Sequence, residues 1–201
     1  ELEKRGADLR KLILDKLRAL PLDGEDAGAS DVVTKRDEMI TLYEGFANES
    51  VSGKKVLSVQ GLADATTLLN FSAAYTGLPQ DFDRDVRQLT ELLIDATPQV
   101  TSALGEGRAV GAYSMGLGFI NSDASRAMDD LFELLQKLTA NYQQVLQQTL
   151  AGQGLQSIKP AADASIESLS IAQNIFDEEI ILANSLEGEW DDYFERITTE
   201  I

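Results

Sequence analysis

The sequence contains neither cysteine nor histidine. Disulfide scaffolds, zinc sites built on those residues, and Ser-His-Asp or Cys-His catalysis are thereby excluded. Di-iron bundles fall with them, because they need Glu-x-x-His motifs on facing helices. Positive charge is scarce as well: 17 Lys and Arg stand against 34 Asp and Glu, a formal net charge of −17. Phosphate recognition needs clustered basic residues, so nucleic acid is not an expected partner. Long apolar runs are missing too. The longest weakly polar stretch, residues 110–120, is too short to span a bilayer. Apolar residues still make up 43% of the chain and charged ones 25%, the balance of a folded protein rather than a disordered one.

What is present is helical periodicity, almost from end to end, with no convincing strand. A first helix presents Leu2, Leu9, Ile13, Leu17 and Leu20 and stops at Pro21; residues 23–30 read as a loop. Ser30 or Asp31 can cap a second helix that runs through Met39, Leu42 and Phe46 towards Ser50. Residues 54–75 favour helix, with Leu57, Leu62, Leu68, Leu69 and Phe71 as the apolar set, and TGLPQDFD is a turn broken by Gly77 and Pro79. A long helix from Asp83 to about Leu117 carries the stripe Val86, Leu89, Leu93, Val100 and Leu104. The next, from near Ser122, has the cleanest spacing: Met128, Leu131, Leu135, Leu138, Tyr142 and Val145, widened by Leu134, Leu146 and Leu150. Gly152 and Gly154 end it, and Pro160 suits the first turn of a helix facing inward through Ile166, Leu169, Ala172, Phe176 and Ile180. A last helix holds Trp190, Phe194, Ile197 and Ile201. The expectation is a single all-α domain over residues 1–201, an elongated antiparallel helical bundle of six to seven helices around a four-helix-bundle-like core. The start at Glu1 and the helical end at Ile201 read as the cut ends of a longer chain.

Residues 89–126 hold the tension in this pattern, with Pro98 inside a helix and five glycines near its end. An interior proline costs about 3 kcal/mol and each glycine about 1 relative to alanine, so a bend or a close helix approach is expected. GEGRAVG (Gly105–Gly111) follows a helix instead of a strand and lacks the lysine of a phosphate loop, so the small-xxx-small pair Gly107 and Gly111 reads as helix packing. Arg108 shares a helical side with Leu104, Ala112 and Met115, and a guanidinium directed inward needs a carboxylate, the protein's own or a ligand's. Arg84, Arg87, Tyr75 and Tyr113 join Arg108 as the candidate ligand-binding set for an anionic small molecule. The acidic pairs Asp129–Asp130, Glu178–Glu179 and Asp191–Asp192 are adjacent, hence diverge by about 100° on a helix and form no catalytic pair. No catalytic residue, metal site or cofactor is expected. Trp190, Tyr193 and Phe194 read either as core or as an interfacial aromatic patch. Residues 1–20 hold six basic and four acidic side chains on an otherwise acidic body, which suits a segment near a membrane surface or a solvated face of mixed sign.

Three segments carry a family resemblance: TGLPQDFDRDVRQLTELLID, TPQVTSALGEGRAVGAYSMGLG, and EWDDYFERITTEI. Pro98, Leu104, Gly105, Arg108 and Gly111 match the pattern in the second. Over most of residues 55–201 the chain resembles the periplasmic helical sensory domain of methyl-accepting chemotaxis proteins. That resemblance implies an extracytoplasmic domain of a bacterial inner-membrane receptor, anchored through flanking transmembrane helices and paired as a homodimer. It implies a small-molecule ligand or a periplasmic binding protein as partner, and a helix shift as the signal. The same domain on a sensor histidine kinase, and a structural or interaction bundle without sensing, are the alternatives.

Overall fold

The computed structural model describes residues 2–20, 29–152, 155–183, 185–186 and 188–201, and every regular element among them is helical. The all-α expectation holds. The helices are α1 (Leu2–Arg18), α2 (Ser30–Gly45), α3 (Val51–Thr76), α4 (Arg84–Thr90), α5 (Thr97–Leu117), α6 (Ser122–Leu150), α7 (Lys159–Phe176) and α8 (Trp190–Glu200). The chain groups into two compact units, residues 1–80 and 81–201, where the sequence reads as a single domain. The loop expected over 23–30 lies outside the described residues up to 28, as do Pro21, Gly154 and the side chain of Leu2.

The first unit packs α1 on α2 and α2 on α3. Its buried cluster is Leu17, Val32, Met39 and Leu68, flanked by Ile13, Ile40 and Tyr43. Two apolar expectations fail here. Leu9 is 54% exposed and Leu20, Leu62 and Phe71 also face water, because α2 presents only a narrow stripe, Val32 and Met39 one heptad apart. The start of α2 also differs: it opens at Ser30 after Ala29, with no side-chain cap. Phe46 falls in a short 3₁₀ turn, Phe46–Asn48. The Ser50 hydroxyl does cap α3, accepting from the Gly53 amide at 3.1 Å. Gly77 ends it at φ +73°, a left-handed conformation that glycine adopts without a Cβ clash.

In the second unit α4 and α5 are one continuous helix, joined by a wide π-helical segment over Glu91–Ala96. This segment is how Pro98 is tolerated. A proline removes one N–H and crowds the carbonyl four residues back. Here the Thr97 amide, preceding the proline, reaches five residues back to Leu92 O, and the Thr97 hydroxyl donates to the same oxygen at 2.7 Å. The wide turn also moves the stripe. With i→i+5 bonding, residues four apart stay aligned, so Leu92, Ala96 and Val100 are buried and Leu93 is 53% exposed. Beyond the bulge, Ala103, Leu104, Gly107, Gly111, Ala112 and Met115 continue the inner face.

Gly118, at φ +72°, closes α5, and the Asn121 side chain caps α6 by accepting from the Ala124 amide at 2.8 Å. The seam of α6 follows expectation through Met128, Leu131, Leu135, Tyr142 and Val145, with Leu138 half-buried. Leu134 does not join it and stands 47% exposed, on the flank away from the neighbouring helices. α7 buries Leu169, Ala172 and Phe176, and a second π-helical turn, Asp177–Ile181, adds Ile180. α8 buries Tyr193 and Ile197, while Trp190 and Ile201 are exposed. Helices α5, α6, α7 and α8 form a four-membered bundle, with α5 touching all three others. No helix among the described residues is long and apolar enough to cross a membrane.

Candidate functional site

The glycines of α5 set the positions of α7 and α8. A Cβ on Gly107 would sit 2.7 Å from the Phe176 ring, and one on Gly111 would overlap the Tyr193 phenol. The two rings fill the notches that these glycines leave, with centroids 6.4 Å apart. The Tyr193 hydroxyl donates to Gly107 O at 3.1 Å. Burial pushes the Tyr193 hydroxyl well above the usual phenol range, and the nearby Glu179 carboxylate raises it further. Close packing at Gly107 and Gly111 is therefore as the spacing predicts. Tyr193 is the residue that sequence reasoning undervalued. It is core, not part of an interfacial patch.

Arg108 belongs to the same contact. Its Nη1 donates to the Thr198 hydroxyl at 2.9 Å, and its guanidinium lies 4.6 Å above the centroid of the Phe194 ring. A cation over an aromatic face is attracted by the ring quadrupole. Arg108 thus ties α5 to α8 through two residues four apart. Further along α8, Arg196 pairs with Glu179 and with Asp192, the latter at 3.2 Å, which raises its pKa, chiefly through the hydrogen bond to Glu179.

Within the second unit the expected ligand residues are not brought together. Arg87 donates to the backbone oxygens of Asp81 and Phe82, the latter at 3.1 Å, and so braces the turn before α4. Arg84 is exposed in the first turn of α4. At 1.5 Å per residue along one continuous helix, Arg87 and Arg108 are separated by about 30 Å. Tyr113 is 63% exposed on α5, and Tyr75 is exposed on α3 in the first unit.

A different set of residues does converge. A cavity of about 250 Å³ lies between α5, α6, α7 and α8. Its floor is Val100, Leu104 and Leu169, and its rim carries the hydroxyls of Thr97, Thr101, Tyr142, Ser165, Ser168 and Thr199, with Glu200 beside them. The Tyr142 hydroxyl lies 3.0 Å from Ser165 Oγ. Helical spacing could have found this rim. Thr97 and Thr101 are four apart, Ser165 and Ser168 three apart, and each pair borders an apolar stripe.

Among the described residues of the first unit, a polar cluster forms around Asp64. The buried carboxylate of Asp64 accepts from Lys35 Nζ at 3.2 Å and from Gln60 Nε2 at 3.0 Å. Lys35 also meets Glu38 at 2.6 Å, and hydrogen bonds to Glu38 and then Asp64 raise its pKa. Among the described residues no group of three or more acidic side chains is arranged to hold a metal ion. Comparison with protein-family models, with characterised proteins and with solved structures finds no match to this chain.

Proposed function

We propose that this chain is the periplasmic sensing domain of a bacterial transmembrane chemoreceptor, in which a small molecule held in the cavity beside α8 shifts that helix against α5. One observation carries the reading: α8 forms a wall of the cavity through Thr199, Glu200 and Ile201 and is tied to α5 only a turn or two away through Tyr193 and Arg108. A ligand that contacts both helices has different affinities for two positions of α8, and that difference is what shifts the population. The family resemblance of residues 55–201 supplies the rest: homodimer pairing, membrane anchoring through flanking helices, and the alternative that a periplasmic binding protein is the stimulus. The domain itself performs no catalysis on this reading.

The absence of native cysteine gives a clean test. Ala109→Cys on α5 and Asp191→Cys on α8 introduce the only thiols for a pair of spin labels. A panel of amino acids, organic acids and amines is then screened by thermal shift, and each stabilising compound is carried to the distance measurement. The expected outcome is a stabilising compound that moves α8 by about 1–2 Å. A flat panel, or binding with the label distance unchanged, defeats direct sensing.

A further inference from the structure

The hydrogen bonds around the cavity determine which chemistry it can recognise. Thr97 donates its hydroxyl proton to Leu92 O at 2.7 Å, Thr101 to Thr97 O at 3.1 Å, and Thr199 to Glu195 O at 3.0 Å. Ser165 donates to Ala162 O at 2.8 Å, so in its contact with Tyr142 the phenol must be the donor. Each hydroxyl has one proton and two acceptor lone pairs. Bonding back to a helix carbonyl uses the proton and leaves lone pairs. Five of the six rim hydroxyls therefore have their protons engaged and keep lone pairs for accepting, Ser168 being the sixth, and the Glu200 carboxylate lines the cavity with no Lys or Arg beside it.

We infer that this cavity binds a small organic cation, a primary ammonium with an apolar body, and not an anion. The ammonium would donate to Glu200 and the rim oxygens while its chain lies on Val100, Leu104 and Leu169. An ammonium offers three donors and no acceptor, the complement of an acceptor-lined rim. A carboxylate ligand would meet lone pairs and a like charge instead. The net charge of −17 favours cations at longer range as well. Arg108, engaged with Thr198 and Phe194, is then a residue that positions α8.

This inference rests on the cavity being the sensing site, and the experiment separates the two. The matched probes are n-butylammonium, n-butanol and butyrate, titrated into the chain by calorimetry at fixed ionic strength. Butylammonium should bind, butanol more weakly, and butyrate not at all. Glu200→Gln, an isosteric change, should weaken butylammonium by about tenfold through loss of a charge-assisted bond. Ser168→Phe, which fills the cavity, should abolish it. Binding of butyrate as tight as that of butylammonium overturns the inference, as does amine binding left unchanged by both variants, or no amine binding at all. Amine binding weakened by Glu200→Gln and abolished by Ser168→Phe, but without movement of α8, supports the ligand class and removes the sensor reading.

Discussion

The two units use the same elements and reach different packing. Helix α1 carries apolar side chains at helical spacing much as α6 does, while those of α3 are spread around the helix and make no single apolar face. In the first unit, though, Leu9, Leu12, Val56, Val59 and Leu62 are exposed, and the buried cluster is Leu17, Val32, Met39 and Leu68. In the second unit the stripes of four helices close over one continuous core. Part of the difference is that α3 offers no apolar face, and part lies in the small residues. Gly107, Gly111, Ala103, Ala162 and Ala172 let backbones approach so that Phe176, Tyr193 and Leu135 are almost fully enclosed. Among the described residues the first unit has a comparable notch against an aromatic ring at Gly61, where a Cβ would meet the Tyr43 hydroxyl at 2.7 Å. Apolar spacing makes a helix amphipathic. Burial also requires a partner surface with the right gaps.

The largest expected effects come from core truncation. Leu135→Ala in the second unit should destabilise by about 2–5 kcal/mol, from lost transfer energy and a residual cavity. Met39→Ala in the first should fall at the low end of that range, because a thin core can collapse into the space. Trp190 is the only tryptophan and lies on α8, so its fluorescence follows the second unit, and amide exchange on α2 follows the first. Leu135→Ala should shift the fluorescence transition, and Met39→Ala should accelerate exchange in α2 with the fluorescence midpoint unchanged. Equal shifts in both readouts would mean that the units unfold together, and the contrast between them would lose its energetic meaning.

Gly111→Ala should cost about 1–3 kcal/mol by overpacking, since its Cβ enters the space of a buried phenol. The cost should appear as lost Trp190 fluorescence structure and early exchange in α8, leaving α2 as it was. A neutral Gly111→Ala would show that Tyr193 can swing aside, and would remove the glycine notch as the source of the tighter packing.

How much of this was legible in the sequence follows from the range of the interactions involved. The α6 seam is legible almost residue by residue, because heptad spacing is local and α6 is regular throughout. Pro98 announced a bend, yet the sequence could not say that Thr97 would reach back to Leu92 and rotate the stripe from Leu93 to Leu92 and Ala96. The notch at Gly111 was readable from glycine spacing, but its occupant was not, since Tyr193 is distant in sequence and looked no different from Trp190 or Phe194. For the site, the lure was charge. Arg108 reads as an anion ligand, and the structure sets its guanidinium against Thr198 and Phe194 of α8, while the hydroxyls that rim the cavity carry little signal by themselves because Ser and Thr on helix faces are common. Their meaning depends on where their protons go, which only three-dimensional bonding decides.

Alkaline pH sharpens the contrast through Tyr193. Its folded-state pKa is raised above the ordinary value of 10.0, chiefly by burial. The stabilisation is therefore fully present below pH 10 and is lost as pH rises further, because the unfolded phenol gives up its proton first. Tyr193→Phe should cost about 1 kcal/mol at neutral pH, the worth of the bond to Gly107 O. It should also flatten the alkaline fall of the Trp190 transition. In the first unit Tyr43 is raised in the same direction by burial and by Asp64, and Lys35 by Glu38 and Asp64, so its alkaline loss should persist in Tyr193→Phe. If the second unit keeps its full pH slope without this phenol, another group governs it.

The smallest effects are gains, and they test whether glycine acts by shape or merely by entropy. Gly105 on α5 and Gly6 on α1 are both helical, and a Cβ at either meets nothing within 4 Å. Gly105→Ala and Gly6→Ala should each stabilise by about 0.5–1 kcal/mol, because alanine loses less backbone freedom on folding. Gly105 stands six residues from Gly111 on the same helix, so helix propensity is the same for both, and opposite signs at the two positions isolate the contact with Tyr193. The Gly6 gain should appear in amide exchange of the first unit, and the Gly105 gain in the fluorescence transition of the second. A gain at Gly111 as well would reduce every α5 glycine to an entropic defect. The second unit would then owe its closure to its larger apolar surface alone.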